Sequence, residues 1–244
     1  MALDSFLKPL GKYKLERFGN NNDGGYLIGP NSIHKSKTLI SFGIFDDWSF
    51  EETINKKYEN IKILCFDDTL DKKFLAKRII IQAIFIFFNW NFKLLKKLIK
   101  DYIKFNFFKK KNIYLKKKKI FYDDMSLISK GLNDIIFKID IEGSEYRILE
   151  DLVNIKHKIN GIIIEFHNID LHKEKIENFI KKIDLSLTHI HPNNYGPVDK
   201  NQNPTVIELT FEKYPEKIDE TNQFPNILDM KNDPTANDIT LKFN

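Results

Sequence analysis

Apolar and polar positions follow two alternating patterns along this chain. Short runs dense in Ile, Leu and Phe occur at Thr38–Ile44 (TLISFGI), Ile61–Asp68 (IKILCFDD), Asn112–Phe121 (NIYLKKKKIF), Asp134–Asp140 (DIIFKID) and Gly161–His167 (GIIIEFH). Between them lie stretches whose apolar residues recur at helical spacing: DDWSFEETINKKY, DDMSLISKGL, SEYRILEDLV and HKEKIENFIKKI. Continuous apolar runs are strands buried on both faces, so their alternation with amphipathic helices predicts a parallel sheet covered on both sides. After Ile183 the pattern changes. LSLTHIHPNN and PTVIELTFEKY are two strand-like runs joined by a polar loop alone, which predicts an antiparallel hairpin at a sheet edge. Near the N-terminus, NNNDGGYLIG (Asn20–Gly29) predicts a turn entering a short strand, YLI, and its composition also suits a backbone loop closing over a ligand.

Composition fits this α/β reading and adds one feature. The 244 residues are 42% hydrophobic, enough for one α/β domain with an elaboration and against global disorder. The single cysteine, Cys65, excludes a disulfide within the chain and fits a reducing cytoplasm. The N-terminal residues lack a signal-peptide core. The longest apolar run, Ile79–Trp90, falls short of the roughly 20 residues a bilayer requires. The expectation is a soluble, cytoplasmic protein. Its net charge of +5 is unevenly spread: residues 71–119 hold 16 Lys/Arg against Asp71 and Asp101, leaving −9 on the rest. Residues 71–112 are expected to form helices outside the core fold. There Leu95, Ile99, Tyr102 and Ile103 make an apolar stripe among Lys93, Lys96, Lys97, Lys100 and Lys104. The plainer reading is a lid or homodimer contact with solvated lysines. The sharper one is a surface for anionic lipid at the inner face of the membrane, through residues 71–119, or for a phosphate-bearing acceptor. Lysines among aromatics also suit single-stranded nucleic acid, but arginine is nearly absent and no RNA-binding motif occurs.

The chemistry gathers where the strands end. Gly43 closes the first strand, and Asp67 follows 24 residues later, the spacing of an acid that binds ribose hydroxyls; turn capping explains Asp67 equally well. Asp123 and Asp124 follow the third strand, as a helix N-cap or as acceptors for an adenine amino group. Asp140 and Glu142 lie two apart, as do Glu165 and His167, so in extended chain each pair faces one side. On neighbouring strands the pairs converge on one crevice mouth, where a carboxylate beside a histidine can remove a proton, orient a base or bind a divalent metal. Glu145 is assigned to structure, at the start of a helix. His191, in HIHPNNYG, is a further candidate for metal or substrate, and His189 a weaker one.

Five strand–helix units and a closing hairpin match the order of the class I S-adenosylmethionine (SAM) methyltransferase fold, whose relatives bind ligands beyond the carboxyl ends of the strands. More specifically, RFG…DGGYLI, LISFGIFDDWSFE, LCFDDT, FKIDIEGSEYRIL, IIIEFH, HIHPNNYG and VIELTF occur in the order seen in FkbM-type SAM-dependent methyltransferases, which the chain resembles over most of its length outside the insert. The resemblance implies a Rossmann-like domain, a seven-stranded sheet with a reversed final strand, and methyl transfer from SAM, usually to oxygen on sugars or other small acceptors. It implies that Phe42 and Gly43 line the SAM pocket, that Asp67 holds the ribose, and that Asp124, with Met125 beside it, lies near adenine. Asp140 and Glu142 would flank the transfer centre, Asp140 also touching the cofactor, with Glu165, His167 and His191 completing the supply of bases or metal ligands. The single-glycine turn departs from the commoner glycine-rich form but agrees with this subgroup. That turn and the terminal hairpin speak against a nicotinamide-dependent oxidoreductase. A non-catalytic SAM-fold protein acting through the insert is the remaining alternative.

Overall fold

The computed structural model describes residues 2–89, 92–121 and 124–244, with the backbone alone for 86–89. Three short strands, β1 (Lys12–Tyr13), β2 (Glu16–Phe18) and β3 (Tyr26–Ile28), and a helix, α1 (Pro30–His34), lead into the central unit. That unit runs β4 (Thr38–Phe42), α2 (Ser49–Lys57), β5 (Lys62–Asp67), α3 (Lys72–Asn89), α4 (Phe92–Lys104), β6 (Ile113–Lys117), α5 (Asp124–Ile128), β7 (Ile135–Ile139), α6 (Leu149–Asn154), β8 (Ile159–His167), α7 (Ile169–Ile183), β9 (Ser186–Pro192) and β10 (Val206–Glu212). A last short strand, β11 (Lys217–Asp219), pairs with β1.

The large sheet has the order β6-β5-β4-β7-β8-β10-β9, parallel throughout except for β10, which runs antiparallel to both its neighbours. This is the mostly parallel, Rossmann-like seven-stranded sheet with one reversed strand that the sequence predicted, with the crossover point between β4 and β7. The predicted hairpin is present; its second strand lies inside the sheet and its first forms the edge. β4 and β7 are buried at every position because helices cover both faces. Alternate residues divide between two cores: Ile135, Phe137 and Ile139 pack towards α6 and α7, whereas Ile136 joins Leu39, Ile63 and Cys65 against Trp48, Phe50 and Ile54. Each such side chain contributes about 1.5–3 kcal/mol on full burial. SEYRILEDLV departs from one continuous helix. It makes a 3-10 turn at Glu145–Arg147, and α6 begins only after Ile148 leaves helical geometry (φ −111°, ψ 0°).

Helices α3 and α4 pack on each other beside the β4–β5 end of the sheet. Arg78 and Lys97 reach Asp46 at 2.6 and 3.7 Å, Lys104 reaches Glu52 at 3.1 Å, and Trp48 meets the rings of Phe105 and Phe108. In α4 the buried positions are Leu98 and Asp101, so Ile99, Tyr102 and Ile103 of the sequence stripe face outwards instead. Among the described residues no helix is long and apolar enough to cross a membrane.

Candidate active site

The carboxyl ends of β4, β5, β6 and β7 surround a cleft of about 470 Å³. Its first wall is the turn after β4. Gly43 adopts φ +68°, and a Cβ there would stand 1.5 Å from the Asp140 carbonyl oxygen. The backbones after β4 and β7 therefore touch, which only glycine permits. Phe42, one residue earlier, turns its ring into the core against Phe66 and Phe137, so the turn meets the cleft through Gly43, Ile44 and Phe45. Phe45 is half exposed and packs on Phe74 and the Arg78 guanidinium, which ties the α3–α4 hairpin to the cleft mouth.

Asp67 ends β5 beneath this turn, and its carboxylate is occupied by the chain itself. Oδ2 accepts the N–H groups of Ile44 and Phe45 at 3.1 and 2.7 Å; Oδ1 accepts those of Thr69 and Leu70 and the Thr69 hydroxyl at 2.7–2.8 Å. Burial pushes its pKa upward, but these donors outweigh burial and hold it below the ordinary carboxylate value. Asp68, the next residue, is exposed at the cleft. On the β6 side Lys118, Lys119 and Ile120 line the cleft. Asp124 instead accepts from Lys118 Nζ at 2.5 Å and from the Phe121 N–H at 2.8 Å, and Met125 is buried in the core. The Asp123 candidate lies outside the described residues.

The second half of the site is a polar row crossing four strands. Register pairs Glu208 with Glu165 on one side and with His191 on the other, and extending the Ile139–Ile164 pair by one residue sets Asp140 beside Glu165. Asp140, Glu165 and His167 each offer a ligand atom within 4.8 Å of the others. Glu142 is reached differently from the extended-chain expectation: the strand has ended, and Glu142 sits at φ +52° before Gly143. Its exposed carboxylate still lies 3.4 Å from His167 Nε2. The other ring nitrogen, Nδ1, lies 2.9 Å from Oε1 of the fully buried Glu145, which also accepts the His167 N–H at 2.7 Å. The 3-10 turn thus sends Glu145 inward to set the ring, and Tyr146 adds a hydrogen bond to the His167 carbonyl at 2.6 Å. Burial disfavours protonation of His167, but Glu145, Asp140 and Glu142 outweigh it and hold its pKa above the ordinary value.

Glu165 behaves in the opposite way to Asp67. Asn193 donates to its Oε1 at 2.8 Å, but burial, followed by the nearby Asp140 and Glu208 charges, pushes its pKa well above the ordinary value. Beyond it, His191 Nδ1 lies 3.5 Å from Glu208, and its buried Nε2 has no hydrogen-bond partner. His189 stacks on His191 and pairs with Asp229 at 2.8 Å, out in the C-terminal arm. The same arm brings Asn232 to Glu208 at 2.8 Å, and the Lys231 carbonyl accepts from Asn22 of the early loop, whose Asp23, Gly24 and Tyr26 line the cleft.

Sequence reasoning missed Lys138, Glu208 and Tyr26. Lys138 is buried within β7, donates to the Gly43 carbonyl at 3.0 Å, and lies 3.5 Å from Asp140 and over the Tyr26 ring. Burial opposes its charge, but Asp140, Glu51 and Glu165 outweigh burial and raise its pKa. Tyr26 donates to Asp140 Oδ2 at 3.4 Å. The lysine of FKID, the glutamate of VIEL and the tyrosine of DGGY were the available signals.

Comparison with known proteins gives a likeness of fold. No protein-family model and no curated protein matches the chain. Among solved structures, it is similar to precorrin-6y C5,15-methyltransferase from Geobacter metallireducens GS-15, at 10% identity over 75% of this chain and 84% of that one, with a TM-score of 0.40. It is similar to M. jannaschii TYW2 in complex with AdoMet at 12% identity, over 75% and 70% of the two chains, with a TM-score of 0.35. For the 23S rRNA methyltransferase ErmE the values are 7%, 77%, 67% and 0.40. At such identities and scores these likenesses say nothing about substrate.

Proposed function

We propose that this protein is a SAM-dependent methyltransferase of FkbM type that methylates an acceptor oxygen. The acceptor class is a sugar hydroxyl, on a nucleotide sugar, a capsule or lipopolysaccharide glycan precursor, or a comparable small molecule. The observation that carries this reading is that Asp140 both lines the 470 Å³ cleft at the β4–β7 ends and belongs to the Asp140–Glu165–His167 group. SAM would supply an already activated methyl group. The chain must then hold the acceptor oxygen in line and help remove its proton. Gly43, Ile44 and Phe45 form the wall for the nucleoside. With Asp67 committed to its own loops, Asp68 is the acid open to the ribose hydroxyls. Asp140, Glu165 and the Glu145-oriented His167 face the acceptor and take up or polarise its proton.

Calorimetry with S-adenosylhomocysteine tests this directly. Wild type should bind, and Asp68→Ala should lose at least about tenfold in affinity with an unchanged circular dichroism spectrum. Absence of binding to well-folded wild type would sink the reading.

A second reading concerns where the enzyme works, and the outward apolar face of the α3–α4 hairpin favours it. Ile80, Ile84 and Ile103 are about 60% exposed, among the exposed Lys93, Lys96, Lys97 and Lys100. Apolar residues flanked by lysines suit an anionic lipid surface, which places the cleft mouth near a lipid-linked acceptor. Co-sedimentation with phosphatidylserine vesicles, but not with pure phosphatidylcholine, is the expected result, and equal behaviour with both would remove this reading.

A further inference from the structure

We infer that Asp140, Glu165 and His167 form a divalent-cation site beside the cleft, which it meets at Asp140, with Glu145 as the residue that positions His167. The inference deepens the methyl-transfer reading by naming what polarises the acceptor oxygen, although cation binding itself does not depend on SAM.

Geometry is the first argument. Two carboxylates and an imidazole present donor atoms within 4.8 Å of one another, close enough to meet around one ion. This donor set suits Mn²⁺ and ions of similar preference. The donors come from fixed places: Glu165 from inside β8, His167 from its last residue, and Asp140 from the first residue after β7. Tyr26 and Lys138 both approach Asp140 at Oδ2, at 3.4 and 3.5 Å, which restrains the carboxylate.

The second argument is the state of the histidine. Glu145 takes both the backbone N–H and Nδ1 of His167, leaving Nε2 turned towards Glu142 and Glu165, at 3.4 and 3.8 Å. A buried carboxylate behind one ring nitrogen fixes the tautomer and raises the donor strength of the other, as in the outer shells of metal-binding histidines. Glu145 has no solvent exposure, so fixing this ring is its evident task.

Charge supplies the third argument. Asp140, Glu165 and Glu208 stand side by side across β7, β8 and β10, with Asp23 and Glu142 nearby. Lys138 faces them as a buried ammonium, and Arg17 and His191 face Glu208 at the far end of the row. A row of acids in excess of its counter-charge is costly in a poorly solvated site, and a divalent ion offsets that cost. A hydroxyl coordinated to the ion would also lose its proton more readily.

The test uses the full chain, stripped with a chelator and titrated with Mn²⁺ alone, then with S-adenosylhomocysteine in a separate titration. One Mn²⁺ per chain is expected, with nitrogen modulation in its pulsed paramagnetic-resonance spectrum. His167→Gln should abolish that modulation, Glu165→Gln should weaken binding at least about tenfold, and Glu145→Gln should weaken it by about 10- to 100-fold through the ring alone. Glu59→Gln, an exposed acid just before β5 at the opposite end of the sheet, is the control and should leave affinity within about twofold. No Mn²⁺ binding by folded wild type, or nitrogen modulation that persists in His167→Gln, would overturn the site. Cofactor binding without Mn²⁺ overturns the cation site and leaves the methyl-transfer reading standing. Mn²⁺ binding without cofactor binding supports the cation site and removes that reading.

Discussion

Asp67 ends β5, Glu165 lies inside β8 of the same sheet, and the two are almost equally buried, at 7% and 4% exposure. Their chemistry is nevertheless opposite. Asp67 receives five hydrogen bonds from its own loops and stays ionised below the ordinary range, whereas Glu165 accepts from Asn193, faces two further carboxylates, and holds a proton more tightly than usual. Burial therefore does not assign a role to a carboxylate; the partners do. A carboxylate saturated by backbone N–H groups is part of the scaffold. One crowded by like charge is available to a ligand.

The wall between the two regions is where the comparison breaks most easily. Gly43→Ala would drive a methyl group into the Asp140 carbonyl at a positive-φ position, separating the Asp67 loop from the Asp140 row. Urea unfolding should show a loss of about 4 kcal/mol or more, or no folded protein at all. Gly143→Ala is the matched control. It also has positive φ (+86°), but a Cβ there meets nothing within 4 Å, so the cost should be about 1–2 kcal/mol from backbone strain alone.

Asp67→Asn comes next in size. The amide presents N–H groups where the carboxylate accepted them, so about 2–3 kcal/mol should be lost at neutral pH. The pH dependence has a definite sign. A carboxylate lowered in the folded state stabilises above its unfolded value near 3.8 and loses that contribution as pH falls through the folded value. Wild type should therefore lose more stability than Asp67→Asn between about pH 5 and pH 2. Parallel curves for the two proteins would mean that the loop bonds do not hold this charge.

Glu165→Gln sharpens the comparison with a smaller effect. With metal removed, folding disfavours the ionised form, so stability falls as pH rises from the ordinary value of 4.5 towards the raised folded value. The amide cannot ionise and keeps an oxygen for Asn193. The variant should lie within about 1 kcal/mol of wild type near pH 4 and gain on it as pH rises. A loss comparable to that of Asp67→Asn would make Glu165 a scaffold residue after all.

The sequence revealed the sheet more fully than the site, for a physical reason. DIIFKID and GIIIEFH are legible because strands buried on both faces have few polar letters, and the change at LSLTHIHPNN marks the loss of crossover helices. Asp140, Glu165 and His167 were legible as exceptions at the ends of those runs. Lys138 was not, because period two does not say that an ammonium at that position has a carbonyl and a carboxylate waiting. Glu208 required the register of β10 between β8 and β9, and Asp229 and Asn232 come from an arm with no regular pattern. Glu145, assigned to structure at a helix end from the sequence, meets the His167 ring instead.

The outward face of the hairpin carries the smallest expected stability effects, and the hairpin repeats the lesson on apolar residues. Leu98 and Ile103 lie on the same helix and are equally hydrophobic, yet one is buried and the other exposed. Leu98→Ala should cost about 2–4 kcal/mol by opening a cavity where the side chain is buried. Ile80→Gln, Ile84→Gln and Ile103→Gln should each change stability by no more than about 0.5 kcal/mol, because water already covers those side chains. Combined, the three should leave S-adenosylhomocysteine affinity within about twofold, since none lines the cleft. The same triple variant should release the protein from phosphatidylserine vesicles. A large stability loss in it would show that the outward stripe is covered by another copy of the chain, with a concentration-dependent melting temperature in wild type as the accompanying sign. Vesicle release at constant stability would assign that face to lipid.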